Sequence, residues 1–446
     1  MDLRPDVLIV GAGICGTSLA VALQERGLSV VLAERDSQVR ERFKGEYLQP
    51  VAVQRLHRLG MGAVLQELLD TGKATAIREL RFRDLASEKG LSQWFSRALS
   101  RDLKCDLLVR YPGDTYGVSI SQQDLTHCLR KIARARLGQS FLEGVDLRLT
   151  SRDFNRPCFL GRGFRVRPRL VIGADGRNSS VRLWIGGAKA PASGKPVLGA
   201  EPEFIVGADF ESSARLPHRY EVLRTDGEGT FSFFQLGEDR QRLYWNTQDS
   251  SSGKQGWRER ITELLDSTIQ KHLGQSASVG AMSGAPANTA WVGPAGRGRF
   301  LLAGDALAVT TPLGGQGMAF VLEHAERLVS EIPSVFVGSG VQKRVSTLKW
   351  ARILKSHHSA SRRYFHHINL MNLFLYHLCF SRSSLARGLS RTVFSHWNSH
   401  PETRELVAEY FAGIRVTGLS PLRIAELLGV PGTMKVSALL ASRVRA

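Results

Sequence analysis

"DVLIVGAGICGTSLAVALQERGLSVVLAERD", Asp6 to Asp36, is the stretch that decides the fold. Val7 to Val10 is a continuous apolar run of strand length, glycines follow at once, and Thr17 to Arg26 has the composition of a helix that ends at Gly27. Ser29 to Ala33 makes a second strand, and Glu34 closes it. The stretch is a complete βαβ unit with Gly11, Gly13 and Gly16 in G-x-G-x-x-G spacing. Gly11 permits the tight turn, Gly13 lets the backbone approach a pyrophosphate, and Gly16 allows close packing of helix on strand. Phosphates then rest on unpaired N–H groups at the helix start, with Ala12 and Cys15 in the same turn. Glu34 is placed to accept hydrogen bonds from a ribose. The unit predicts a dinucleotide site and leaves NAD against FAD open.

Two later segments narrow that choice. "LVIGADGRNSSVR", Leu170 to Arg182, reads as a buried strand delivering Gly-Ala-Asp-Gly to a loop, then a polar turn and an arginine. "RFLLAGDALAVTTPLGGQGMAFVLEHAERL", Arg299 to Leu328, repeats the scheme: strand, Gly304-Asp305, a stop at Pro312, Gly314-Gly315, then an amphipathic helix.

In this order the three segments resemble the single-component FAD-dependent monooxygenases with the para-hydroxybenzoate hydroxylase fold, over about residues 6 to 330. The resemblance implies an α/β fold: a Rossmann-like FAD-binding domain, an inserted antiparallel β-sheet substrate domain and a helical C-terminal region. It implies extended FAD, with the adenosine ribose at Glu34, the Asp-Gly motif contributing Asp175, and the ribityl chain at Asp305. Gly315, Gln316, Gly317 and Met318 start a helix whose N–H groups suit the negative charge on reduced flavin. "ERDSQVRERFKGEYLQPVAVQRLHRLG", Glu34 to Gly60, is similar to the corresponding segment of squalene epoxidases and their bacterial relatives. That likeness assigns Glu34, Arg35, Arg42 and Tyr47 to FAD, and "FLEGVDLRL" adds Val145 beside the adenine. Where the wider family has an arginine opening the preceding helix, this chain has Gln122, which can hydrogen-bond without charge.

"RYEVLRTDGEGTFSFFQLGEDRQRLYWNT", Arg219 to Thr247, holds runs rich in Phe, Tyr and Val, separated by turn signals at Asp226-Gly227 and Gly237-Glu238. It reads as the inserted sheet, which forms the substrate-side wall in the resembling family. Phe231, Phe233, Phe234, Tyr244 and Trp245 are wall candidates, together with Tyr47 and Pro312. The expected division is 1–190 and 291–335 for FAD, with a substrate-side insertion near 75–120, 191–290 for the sheet, and 336–446 for the helical region. Within that last region Ile368 to Phe380 is densely apolar and flanked by arginines. It is too short and too polar to span a bilayer, leaving a core helix or one lying in the membrane interface.

Composition restricts the partners. The 446 residues carry a formal net charge of +19 and 43% hydrophobic content. Arginine is spread without a dense basic run, which argues against nucleic acid. The five cysteines are far apart with no C-x-x-C pair, as in a reduced, cytoplasmic protein, with membrane association as the alternative location. The histidines His357, His358, His366 and His367 come as adjacent pairs that do not share a helix face, so no metal is expected.

The resemblance implies an NADH- or NADPH-consuming monooxygenase working through a flavin C4a-hydroperoxide. Its partners are O₂ and a small hydrophobic substrate: a prenylated quinolone, quinone or terpene, epoxidised or hydroxylated. The absence of a Ser-His-Asp or paired-carboxylate signature agrees, because the flavin performs the chemistry. The alternatives are a flavin-dependent prenyl-chain reductase and a non-catalytic lipid-binding flavoprotein. A flavin halogenase is disfavoured by the missing W-x-W-x-I-P signature.

Overall fold

The computed structural model describes residues 2–41, 43, 46–84, 106–151, 153–161, 163–189, 204–212, 219–225, 229–238, 240–247, 253–264, 277–286, 289–311, 315–338, 340–380, 384–414 and 421–429. Arg42, Pro312 and Gly314 lie outside them.

The run Val7–Val10 sits inside a six-stranded sheet, with Val7, Leu8 and Ile9 fully buried. Val30–Glu34 and then Phe141–Glu143 pair parallel on one side. Leu170–Gly173 and then Phe300–Leu302 pair parallel on the other, and Gly296–Arg297 closes that edge antiparallel. Parallel strands point their carboxyl ends the same way, so the three glycine-bearing loops emerge together at one edge, where open α/β sheets bind ligands. The first helix, Ile14–Glu25, begins three residues earlier than its composition predicts, because Gly13 already serves as its N-cap. No side chain caps it, so its first N–H groups face outward from the turn. This helix and Gly317–Glu331 belong to one core.

A second sheet has seven strands in the order Ala277–Pro286, Phe204–Ser212, Gln241–Thr247, Gly229–Gln235, Arg219–Thr225, Glu79–Asp84, Asp106–Arg110. Its pairs are antiparallel except Arg219–Thr225 with Glu79–Asp84. Strand alternation sorts its residues between two faces. Val206, Ala208, Phe210, Leu223, Phe231, Phe233, Leu243 and Trp245 form one core with Trp257 and Ile261 of the helix Gly253–Leu264. Phe233 stacks edge-on against Phe210 there, so it is core and not substrate wall, as are Phe231 and Trp245. The opposite face carries Phe234 and Tyr244 toward the first sheet.

Both sheets are bridged by the C-terminal helices. Thr347–Leu375 runs across them, and a π-turn at Tyr376–Phe380 leads toward Ser384–Ser399 and Pro401–Phe411. The apolar stretch is packed as core: Ile368 against the first sheet, and Met371, Leu375, Tyr376, Leu378 and Cys379 against Leu80, Phe82 and Val222. Arg224 fixes this junction, donating to Asp84 at 2.5 Å, Ser390 at 3.0 Å and the Leu378 carbonyl at 3.1 Å. Among the described residues no helix is long and apolar enough to cross a membrane.

Candidate cofactor and substrate site

A cavity of about 470 Å³ follows the edge where the three loops emerge, and continues under the second sheet. At one end it is lined by Gly11, Gly13, Cys15, Glu34, Arg35, Gln122, Val145 and Asp175, and along its middle by Asp305, Gly315, Gly317 and Met318. Ala12, Gly16 and Gln316 stand behind the wall. Gly11 has φ +103°, and a Cβ on it would lie 2.5 Å from the Ala174 carbonyl oxygen, so the first loop is pressed against the second. A Cβ on Gly16 would lie 1.9 Å from the Gly11 carbonyl oxygen. At Gly13 an added Cβ would meet nothing within 4 Å, so this backbone has open room before it. Gln316 is buried and turned toward a small apolar cavity among Met371, Phe374, Leu375 and Trp397.

The acid of the fingerprint braces the turn that it accompanies. Glu34 accepts from the Ala12 N–H at 2.8 Å and the Asp36 N–H at 2.9 Å. Arg130, buried on the helix Gln122–Leu137, lies 3.2 Å from Glu34 and donates to the Ala12 and Asp36 carbonyls at 3.0 and 2.9 Å. Val145 donates its N–H to the Glu34 carbonyl at 2.9 Å. The Arg35 side chain is 68% exposed at the rim. Arg130 escapes sequence reasoning, because an arginine on an amphipathic helix reads as solvent-facing. Its signal is position: it lies eight residues, two helical turns, beyond Gln122.

The Asp175 carboxylate accepts from Ser179 Oγ at 2.5 Å and from the Ser180 and Val181 N–H groups at 2.6 and 3.2 Å. It therefore caps the short helix Ser180–Trp184 and shapes the loop. Burial raises its carboxyl, and the Ser179 bond opposes that. Arg182 ties this loop to the third motif, donating to the carbonyls of Arg177 at 2.7 Å, Ala188 at 2.7 Å and Ala306 at 2.9 Å. The Gly-Asp turn is held from behind by His324, whose Nδ1 accepts the Gly304 N–H at 2.9 Å. The neutral ring thus carries its proton on Nε2. Burial first, then His357 and Arg327, push its pKa well down. Cys15 is buried beside this turn, and its thiol is pushed up to about 12 by burial and the nearby Asp305 and Glu323, which makes it an unreactive wall residue.

These residues fit FAD. The open face at Gly13, the uncapped helix starts after Gly13 and Gln316, and the buried Gln122 Oε1, which has no partner, are the groups a dinucleotide would occupy.

Under the second sheet the cavity is lined by Glu46, Tyr47, Tyr220, Ser232, Phe234, Tyr244 and Asn246. Tyr47 bonds Tyr111 through their hydroxyls, and Tyr220 stacks on Phe234 at 4.7 Å between centroids. Gly117 makes room for the Tyr47 ring: its Cβ would lie 2.5 Å from the Tyr47 hydroxyl. Pro50 starts the helix Pro50–Arg58 in its favoured first-turn position, and Gln49 Nε2 donates to the Phe411 carbonyl at 3.1 Å, fastening the C-terminal helices to this segment.

A family model described as FAD binding domain matches residues 4–355. Squalene monooxygenase of Rattus norvegicus is 23% identical over 409 residues, covering 88% of this chain and 65% of that protein, so the chain spans just under two thirds of this relative's length. The 3-amino-4-hydroxybenzoate 2-monooxygenase of Streptomyces platensis is 25% identical over 392 residues, covering 81% of this chain and 88% of that protein. Among solved structures, p-nitrophenol 4-monooxygenase from Pseudomonas putida DLL-E4 superimposes with a TM-score of 0.71 at 16% identity, covering 94% of this chain and 100% of that one, a likeness of fold. With the loops, the cavity and the sheet arranged this way, the chain belongs to the FAD-binding flavoprotein family of the para-hydroxybenzoate hydroxylase type.

Proposed function

We propose that the protein is an FAD-dependent, NADH- or NADPH-consuming monooxygenase that inserts one oxygen atom from O₂ into a hydrophobic, prenylated substrate by hydroxylation or epoxidation. The observation that carries this reading is the continuity of one cavity from the dinucleotide loops to an aromatic chamber. Bound FAD supplies the activation of O₂. The chain's own residues do the rest. Gly13 and the helix start beyond it receive the pyrophosphate, Glu34 and Gln122 orient the adenosine half, and Asp305 sets the depth of the ring. Gly315, Gly317 and Met318 line the ring-side wall, and Tyr47, Tyr220, Phe234 and Tyr244 exclude water and hold the substrate ring or chain. We divide the chain into 1–190 and 291–335 for FAD, 191–290 for the substrate sheet and 336–446 for the helices, which are also the surface for any peripheral membrane contact.

The test is oxidation of NADH and NADPH by the FAD-loaded chain, with O₂ uptake, across prenylated quinolones, quinones and terpenes. Substrate-stimulated, matched uptake supports the reading. Saturation of a prenyl double bond without O₂ uptake overturns it.

A further inference from the structure

The long helix Thr347–Leu375 carries a charge pattern that neither the flavin site nor the core explains. None of its 29 residues is Asp or Glu, and five are Lys or Arg. At about 100° per residue its buried side chains, among them Trp350, His357, Tyr364 and Ile368, fall on one face. Leu348, Arg352, Lys355, Arg362, Arg363 and His366 fall on the opposite one, and all are exposed. This row covers about a third of the helix circumference and, at about 1.5 Å per residue, runs about 27 Å from Leu348 to His366.

These are not ordinary solvated charges of the protein's surface. Exposed cations elsewhere stand beside carboxylates: Arg58 by Glu326, Lys131 by Glu67 and Arg110 by Glu79. Arg352, Lys355, Arg362 and Arg363 have no ion-pair partner among the described residues. Glu331 meets the helix at its flank, where Ser356 Oγ donates to it at 3.5 Å. Four like charges within about three turns repel one another, a cost that an anionic surface reverses. A patch built for a protein partner places aromatic anchors at its centre. This row has no Trp, Tyr or Phe, and its apolar member, Leu348, is 64% exposed at one end, where it can enter a headgroup layer. The remaining apolar side chains of the helix are committed to the core, so the helix itself cannot sink into a bilayer.

We infer that this face docks the protein on an anionic phospholipid surface, with Arg352, Lys355, Arg362 and Arg363 on the headgroup phosphates and Leu348 at the leading end. Clustered Lys and Arg on an amphipathic helix suit this partner, and guanidiniums bind phosphate bidentately. The contact is electrostatic, so salt within the Debye range weakens it. The inference deepens the proposed function, since a hydrophobic substrate dissolves in bilayers, but docking does not depend on turnover.

The experiment is co-sedimentation of the FAD-loaded full chain with two sets of vesicles, phosphatidylcholine alone and equal parts phosphatidylcholine and phosphatidylglycerol. The parent should bind the anionic vesicles at least about tenfold more tightly than the neutral ones, and be released when salt rises from about 0.1 M to about 0.5 M. Each cation at the surface contributes about fivefold, so Arg352→Gln with Lys355→Gln, and separately Arg362→Gln with Arg363→Gln, should each weaken binding by about tenfold or more at parental FAD content. Lys131→Gln with Arg136→Gln, which takes the same charge from a helix whose cations are paired, should change it by less than about threefold. Equal losses in all three double variants would mean a response to net charge and would overturn the inference. So would equal binding to both vesicle types, or no binding to the anionic ones even if the chain captures an acidic polypeptide such as polyglutamate. A chain that consumes O₂ with a hydrophobic substrate yet ignores anionic vesicles would sink this inference and leave the proposed function standing.

Discussion

Acidification should cost this fold stability through His357. The residue is fully buried on the helix Thr347–Leu375, where its Nε2 donates to the Leu302 carbonyl at 2.8 Å and its Nδ1 has no partner. Burial first, then the Arg327 charge, push its pKa down to about 3, against 6.5 for a free imidazole. Between those values the unfolded chain holds a proton that the folded chain refuses, so stability rises with pH across that window and is lost as pH falls below 6.5. From about pH 7.5 to about pH 5 this amounts to roughly 2 kcal/mol, almost the full slope of about 1.4 kcal/mol per unit over the interval below 6.5. Denaturant unfolding at the two pH values, comparing the parent with His357→Gln, isolates the term; glutamine keeps a donor for Leu302, and His324 contributes in both proteins. The variant should lose about 2 kcal/mol less than the parent on acidification. Equal losses would refute the reasoning, since they would mean that His357 takes up its proton without leaving its buried position.

Three other perturbations test the site. Glu34→Ala removes the acceptor for Ala12 and Asp36 and the partner of Arg130, so FAD retention in gel filtration should weaken by about 1.5 to 3 kcal/mol; unchanged affinity would place the adenosine elsewhere. Arg182→Leu strips a donor from three carbonyls that join the second and third loops, and should destabilise the fold by roughly 3 to 5 kcal/mol in denaturant unfolding; a loss within about 1 kcal/mol would show that the loops hold without it. Asp305→Ala, saturated with FAD, should lower the ratio of product to hydrogen peroxide, because an error of about 1 Å at the reacting atoms can cost on the order of a hundredfold in rate. Parental coupling in that variant would remove Asp305 from the positioning groups.

The flavin half of the fold was legible because its signals are local. An unbroken apolar strand, a glycine turn and a helix are contiguous from Val7 to Glu25, and parallel pairing then brings Gly173 and Leu302 alongside. The inserted sheet was legible as strands, but its sidedness was not. Alternation states that Phe233 and Phe234 point oppositely, and only the helix carrying Trp257 and Ile261 decides that Phe233 is the one covered. Arg130, Arg182 and His324 were hidden differently. Each acts through backbone atoms of a distant loop, so neither its residue type nor its spacing announces a partner. Glu46, just before the strand Tyr47–Leu48 of a separate three-stranded sheet, and Arg242, on the second sheet, are 196 residues apart and meet only where the two sheets pack together.

The central claim is that O₂ is a co-substrate and the flavin cavity delivers one of its atoms. Turnover under ¹⁸O₂ by the FAD-loaded chain with NADH or NADPH, followed by mass spectrometry of the product, tests it most directly. The account predicts one ¹⁸O atom in each product molecule and none when the label is in water. A product labelled from water, or one reduced by two hydrogens and carrying no new oxygen, would contradict it.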